Sequence, residues 1–170
     1  MKSVSELKDY IGSNAPLIQV VSHEWEVVEG LIDSALENIG GKNGGVRQHF
    51  KWREVTGMQL FENGEQVEDL SDDLRAELTV ANNPVQVLKW YVGEWKNGRS
   101  DGYIGEYEED GDGDRVLVVK DSVLHLQDIH MFMTDNNSDR SELISWLREA
   151  ARMNITASPA NRTVILGTTQ

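Results

Sequence analysis

Four short apolar stretches, separated by segments of helical periodicity, constrain the fold of this chain more than any other feature. They are LIQVV (17–21), VRQHFKWREV (46–55), RVLVVKD (115–121) and RTVILGTT (162–169). Strands that alternate with helices are joined by right-handed crossovers, which produce a parallel sheet covered by helices on both faces. The sequence therefore predicts an α/β fold of three layers with a mainly parallel sheet.

Helix signals fall between these strands. Ser22 is a candidate N-cap for a helix whose apolar face recurs at three- and four-residue steps. That face consists of Trp25, Val28, Ile32, Ala35 and Ile39. Asn83 and Pro84 are a favourable N-cap and first residue for another helix. Asp139 and Glu142 have the spacing of a capping box, which predicts a further helix after them.

The strand candidates differ in how deeply we expect them to be buried. RVLVVKD is the most strand-like stretch, and its unbroken apolar run predicts burial on both faces, as inside a parallel sheet. RTVILGTT predicts a second buried strand. VRQHFKWREV alternates between apolar and basic residues along much of its length, which predicts a half-buried strand.

Length and charge predict one domain, residues 1–170, with acidic insertions at about 61–80 and 97–114. The formal net charge is −13, and both segments resemble solvated loops. A nucleic-acid partner would need clustered lysine and arginine, so the charge argues against one. No apolar run is long enough to cross a bilayer, and there are no cysteines. We therefore expect a cytoplasmic protein without a membrane partner.

A nucleotide site is the first chemical possibility to test. A P-loop needs glycines and a lysine between the first strand and its helix, because backbone N–H groups must hold the phosphates. After LIQVV the sequence reads SHEWE, which has no glycine or lysine and has two carboxylates. GGKNGG (40–45) has both residue types, but it follows a helix. The junction after the first strand therefore predicts no nucleotide binding.

Metal sites have few candidates. Asp121 follows an apolar run, as a Mg²⁺ ligand does at a strand tip in P-loop ATPases, and is the single weak metal candidate. Asp110, Asp112 and Asp114 imitate the start of a calcium loop, but Arg115 occupies the position that requires glycine. The sequence thus predicts no catalytic residues, no cofactor of its own and no firm metal ligand.

One enzymatic alternative stays open. Asp121, Asp128, His125 and His130 could lie in a crevice at the carboxyl ends of the strands, where open α/β sheets bind ligands. With a divalent metal, these side chains would suit a small hydrolase or a nuclease-like enzyme.

Protein interaction is the other function that the residues suggest. Glu108, Glu109, Asp110, Asp112 and Asp114 form an acidic run that could bind a basic partner. The chain would then be a standalone acidic binding module. Trp90 lies off the apolar stripe of its helix, so an interface role is possible for it as well.

Six segments of the chain together resemble one known family. They are LIQVVSHEWEVVEGLIDSAL, HFKWREVTGMQLF, NPVQVLKWYVGEW, VLVVKDSVLHLQD, SELISWLREAARMN and TVILGT. In order and character they are similar to the domain that precedes the ATPase module in AAA-type ATPases first catalogued as a conserved open reading frame in plastid and cyanobacterial genomes. The resemblance covers about residues 15 to 168. Its most specific pieces are the acidic helix start after the first strand, Trp52 to Gly57, Asn83 with Pro84, and Val118 to Asp121.

This resemblance implies a RecA-like P-loop fold that has lost its Walker A sequence. ATP and Mg²⁺ would then bind only through a following AAA module, and any ATPase activity would lie there. The implied partners are proteins, among them such a module or the subunits of an ATPase ring. The leading expectation is therefore a non-catalytic interaction or regulatory domain.

Overall fold

The computed structural model describes residues 4–37, 39, 47–155 and 159–169; the segment GGKNGG (40–45) lies outside the described residues. The helices are α1 (Val4–Gly12), α2 (Trp25–Glu37), α3 (Asp72–Val80), α4 (Pro84–Val92) and α5 (Arg140–Ala150), with a 3₁₀ helix at Ile129–Met133. The strands are β1 (Leu17–Ser22), β2 (Gln48–Arg53), β3 (Gly57–Glu62), β4 (Glu65–Gln66), β5 (Trp95–Lys96), β6 (Arg99–Ser100), β7 (Gly105–Glu109), β8 (Arg115–Val119), β9 (Ser122–Gln127) and β10 (Arg162–Thr169).

The central sheet has six strands in the order β1-β10-β9-β2-β3-β4. The first four are parallel to one another, whereas β3 runs antiparallel to β2, and β4 runs antiparallel to β3. The α/β class is as expected, but the sheet is mixed. The antiparallel pair arises because a three-residue turn, 54–56, joins β2 to β3, and Gly57 follows it with a positive φ of 68°.

The prediction for RVLVVKD was wrong. Its strand, β8, pairs antiparallel with β7 in a separate two-stranded sheet and is partly exposed. The buried strand of the central sheet is the next one, β9, whose six residues are all buried. His125 and Gln127 interrupt the apolar pattern of β9. The hydropathy of the sequence therefore predicted β8, which precedes β9 in the chain, as the buried strand.

Two hydrophobic clusters cover the sheet. Successive side chains of a strand point to opposite faces, so neighbours such as Val123 and Leu124 lie in different clusters. The first cluster joins α1 and α2 to the sheet through Leu7, Ile11, Ile18, Val20, Val28, Ile32, Ala35, Val123 and Ile165. The second joins α3, α4 and α5 to it and contains Phe50, Trp52, Leu88, Leu124, Leu126 and Leu143.

Local signals at the helix ends had mixed outcomes. The N-cap prediction for Asn83 is confirmed, since its side-chain oxygen accepts a hydrogen bond from the backbone N–H of Gln86 at 3.0 Å. Asp139 stands at the N-cap position of α5 but makes no capping hydrogen bond, so the predicted capping box is absent. Among the described residues, no helix combines the length and hydropathy needed to cross a membrane.

The predicted half-buried strand, β2, is instead almost entirely buried. Its polar residues His49 and Lys51 are only 2 % and 5 % exposed. They face α2, which carries carboxylates towards them. The strand therefore has one apolar face and one charged face, both covered.

Candidate functional site

The carboxyl ends of the four parallel strands form the edge at which open α/β sheets bind ligands. β1 ends at Ser22 and α2 begins at Trp25, so only His23 and Glu24 connect them. Ser22 accepts a long hydrogen bond of 3.5 Å from the backbone N–H of Glu24. Two residues cannot form the glycine-rich loop that holds phosphates, and one of these two is acidic.

Trp25 extends this connection towards β2. The guanidinium of Arg53, at the end of β2, lies 3.8 Å from the centre of the Trp25 ring. In the sheet, β10 and β9 lie between β1 and β2. The contact therefore links the start of α2 to the far side of the parallel strands by a cation–π interaction.

A polar network closes the ends of β9 and β10. Asp128 accepts hydrogen bonds from the Thr169 backbone N–H at 2.8 Å and from the Thr169 hydroxyl at 3.0 Å. The Gln127 amide donates to Asp128 at 3.1 Å and to the Thr169 hydroxyl at 2.9 Å. His125 donates to the Gln127 side-chain oxygen at 2.8 Å. The Asp128 carboxylate thus serves to join two strand ends.

Gly167 makes this network possible. A Cβ at this position of β10 would lie 2.1 Å from Gln127 Oε1 and 2.6 Å from His125 Nε2. The polar side chains therefore occupy the space above a glycine in the neighbouring strand. A larger residue at position 167 would displace them.

A second polar cluster lies beneath α2. His49 donates Nδ1–H to the Asp33 carboxylate at 3.0 Å. Lys51 Nζ lies 3.5 Å from both Asp33 and Glu29, and 4.0 Å from the centre of the Phe61 ring. Asp33 and Glu29 are one turn apart on α2, so the helix presents two carboxylates to one strand.

Burial determines the protonation of this cluster. It lowers the pKa of His49, and it lowers the pKa of His125 to about 3, with the nearby His49 adding to the effect. Burial alone would raise the pKa of Asp33, but the His49 hydrogen bond and the Lys51 charge hold it below its ordinary value. Burial thus favours the neutral form of both imidazoles, and the contacts of Asp33 with His49 and Lys51 hold α2 on the sheet.

Asp121 lies at the opposite edge of the sheet. It precedes β9 rather than ending a strand of the central sheet, so it stands at the amino edge. Its carboxylate accepts the backbone N–H of Asn161 at 2.8 Å and lies 4.0 Å from the buried guanidinium of Arg47. These contacts give Asp121 a structural role at the start of two strands, β9 and β10.

The four residues of the enzymatic alternative are not brought together. Asp121 and Asp128 are at opposite ends of β9, about 20 Å apart for an extended strand of this length. His125 is buried within β9, and His130 is exposed on the 3₁₀ helix, 4.0 Å from Asp128. In the described parts of the chain, no three His, Asp or Glu side chains are grouped so that they could hold a metal ion.

The predicted acidic interaction residues form the tip of the β7–β8 hairpin. Glu108, Glu109, Asp110, Asp112 and Asp114 are all exposed. Asp110 accepts backbone N–H groups of Asp112 and Asp114, each at 2.9 Å, so it shapes the turn. The structure places this acidic group on a separate two-stranded sheet, whose Glu106 accepts a hydrogen bond from Gln48 of the central sheet.

Trp90 is half-buried rather than freely exposed. Its ring packs against Tyr103 and Phe50, with centroid distances of 4.8 and 5.1 Å. Its indole N–H donates to Glu77 of α3 at 2.8 Å. Trp90 therefore joins α3 to α4 and exposes only part of its ring to the groove between them.

Sequence reasoning missed the cluster formed by Asp33, His49 and Lys51. The alternating pattern of β2 predicted that its basic residues face solvent. The periodicity of α2 predicted only which face of the helix is apolar. The available signal was the carboxylate pair at Glu29 and Asp33, four residues apart on the flank of that face. Comparison of the chain with protein-family models, curated proteins and solved structures finds no match.

Proposed function

We propose that this chain is a non-catalytic interaction or regulatory domain of RecA-like arrangement, which does not bind nucleotide itself. The observation that carries the proposal is the two-residue connection between β1 and α2. It leaves no room for a phosphate-binding loop at the position where a P-loop protein needs one. Glu24 and Glu26 add negative charge at the same place.

The strand order supports the RecA-like part of the proposal. β1, β10, β9 and β2 are consecutive parallel strands, and their carboxyl ends form the edge at which such folds bind ligands. Asp128, which follows β9 at this edge, is the residue that we assign as the counterpart of a Mg²⁺-binding acid. Its oxygens already accept hydrogen bonds from Thr169 and Gln127.

The implied biology follows the sequence resemblance. As a domain of this kind, the chain would contact other proteins in the cytoplasm, among them an AAA module or the subunits of an ATPase ring. Its contribution would be to position these partners. Hydrolysis of ATP would take place elsewhere.

Isothermal titration calorimetry with ATP and Mg²⁺ tests the proposal. We expect no saturable heat from the unmodified chain. The double substitution Glu24→Gln/Glu26→Gln serves as a matched variant, because it removes the charge without lengthening the connection, and we expect no binding there either. Micromolar binding that depends on Mg²⁺ would falsify the proposal. Binding only by the variant would show that charge, rather than the short connection, excludes nucleotide.

A further inference from the structure

Two hollows flank helix α3 and meet at Glu77. One lies between α3 and α4 and has a volume of about 400 Å³; its walls are the apolar Ala76, Val80, Ala81 and Trp90, with Glu77, Gln86 and Lys89 at its polar margin. The other lies between α3 and the β7–β8 hairpin and is lined by Asp72, Asp73, Glu106 and Arg115, among others. We call the two hollows together the α3 furrow.

The apolar half of the furrow is open to solvent. Val80, at the end of α3, is 69 % exposed, although it is a large apolar residue in a regular helix. Trp90 forms the wall opposite it and is held there by its hydrogen bond to Glu77. The fixed Trp90 ring and the exposed Val80 side chain together form a suitable binding position for an apolar side chain of a partner.

The acidic half is lined by four carboxylates, Asp72, Asp73, Glu77 and Glu106, and by one cation, Arg115, and the rest of the hairpin adds further carboxylates beside it. Residues 71–80 and 105–120, which contain α3 and the hairpin, have nine carboxylates and three cationic side chains. Arg115 pairs with Asp73 at 2.6 Å, and Lys120 pairs with Glu106 at 2.9 Å. Within the described residues, six of the nine have no ion pair: Asp72, Glu77, Glu109, Asp110, Asp112 and Asp114.

The two halves have a fixed spacing. Asp73 and Val80 are seven residues apart on one helix, which corresponds to about 10 Å along its axis. A single segment of a partner can therefore touch both. A second copy of this chain would bring the same acidic surface to the furrow, and repulsion disfavours it.

We propose that the α3 furrow binds a basic protein segment that carries an apolar side chain about two helical turns from its arginines or lysines. The carboxylates of the furrow attract the basic residues of the partner, and the hollow between Val80 and Trp90 binds its apolar side chain. This inference rests on the proposed function as an interaction domain, and it identifies the surface and the chemistry of the partner.

The probe for the test is a fluorescein-labelled helical peptide on an alanine frame, with two arginines followed seven positions later by two leucines. Fluorescence anisotropy with the full chain should show saturable binding that weakens as salt is raised, because exposed charge pairs are screened. Peptides with the arginines changed to glutamine, or with the leucines changed to serine, should bind at least about tenfold more weakly, a difference of about 1.4 kcal/mol.

Matched substitutions locate the site on the protein. Asp72→Asn/Asp73→Asn should weaken binding about fivefold to tenfold, whereas Glu24→Gln/Glu26→Gln, which removes the same charge at the start of α2, should leave it unchanged. Val80→Ser should weaken binding similarly, whereas Val55→Ser, at a position that is 93 % exposed, should not. All four variants change surface residues, so circular dichroism should confirm that they fold.

The outcomes separate this inference from the proposed function. Absence of saturable peptide binding, or equal weakening by the control substitutions, overturns the α3 furrow as the docking surface. That result leaves the calorimetric test with ATP unaffected. Conversely, ATP binding together with peptide binding at the furrow would refute the claim that the chain does not bind nucleotide and would preserve this inference.

Discussion

His49 and His125 illustrate how a buried side chain sets the response of a protein to pH. Both imidazoles are almost completely buried, with ring centres 6.2 Å apart, and burial lowers the pKa of each. An unfolded chain would bind protons at ordinary histidine pKa values near 6.5. Protonation below that pH therefore favours the unfolded state.

The substitution His125→Asn tests this linkage. The pKa of His125 falls from 6.5 to about 3 on folding, so its neutral form contributes stability that is present above pH 6.5 and is lost as the pH falls towards 3. Between pH 7.5 and pH 5 the unmodified chain should lose about 2 kcal/mol of unfolding free energy more than the variant. Urea denaturation at the two pH values measures the difference.

The control for this prediction is His23→Asn, at an exposed position before α2. We expect it to keep the pH dependence of the unmodified chain. Identical pH dependence in the His125→Asn variant would show that protonation of His125 is not linked to folding.

Asp121 gives a second prediction at the scale of a residue. Asp121→Ala removes the acceptor of the Asn161 N–H and leaves the buried Arg47 without its neighbouring carboxylate. It should lower the free energy of unfolding by about 1–3 kcal/mol. Thermal unfolding with and without Mg²⁺ checks its role: Mg²⁺ should not raise the melting temperature of either protein. A Mg²⁺-dependent stabilisation that disappears with Asp121→Ala would restore the metal-site interpretation.

At the scale of elements, the end of α4 depends on one glycine. Gly93 has a φ of 69°, and a Cβ there would lie 2.1 Å from the backbone N of Gly102. Gly93→Ala should therefore destabilise the protein by about 2 kcal/mol or more, through strain and displaced backbone. Chemical denaturation measures this loss.

Gly30 is the matched control for Gly93. It lies inside α2 with no atom within 4 Å of the position a Cβ would occupy. Gly30→Ala should stabilise the protein by about 0.5–1 kcal/mol, because alanine has the higher helix propensity. Equal effects of the two substitutions would contradict the assigned role of Gly93.

The elements that could be predicted from sequence are those determined by local signals. The spacing of Val28, Ile32 and Ala35 predicted the buried face of α2, and Asn83 predicted the start of α4. The identity of the central strand could not be predicted in this way. Polar residues of β9 find partners that are distant in sequence, such as Tyr91 for Ser122 and Thr169 for Gln127, and those partners leave no local pattern.

The same distinction applies to the candidate site. SHEWE shows the lack of glycine and lysine directly, because the requirement is local. The contact of Trp25 with Arg53 and the hydrogen bond of His49 with Asp33 join segments that are distant in sequence. Only the packing of α2 on the sheet brings them together.

At the scale of the whole molecule, the two hydrophobic clusters share their strands. Val123 and Leu124 are consecutive in β9 but belong to opposite clusters, as do Val164 and Ile165 in β10. If β9 and β10 unfold from one cluster, the residues that they contribute to the other cluster also become exposed to solvent. The molecule should therefore unfold in a single cooperative transition.

Substitutions on the two faces test this cooperativity. Ile32→Ala changes the cluster of α2, and Leu88→Ala changes that of α4; each side chain is fully buried. Each should cost about 2–5 kcal/mol. Tryptophan fluorescence and far-ultraviolet circular dichroism should give coincident transitions in both variants. Transitions that separate in only one of them would indicate that the two faces unfold independently.

The two-residue connection between β1 and α2 also limits what evolution or engineering can do with this scaffold. Substituting glycines and a lysine into SHEWE would supply the residue types of a phosphate loop but would leave the chain about four residues too short. The stack of Trp25 on Arg53 would in addition have to separate. A phosphate loop at this edge would therefore require an insertion, because point mutations alone cannot lengthen the connection.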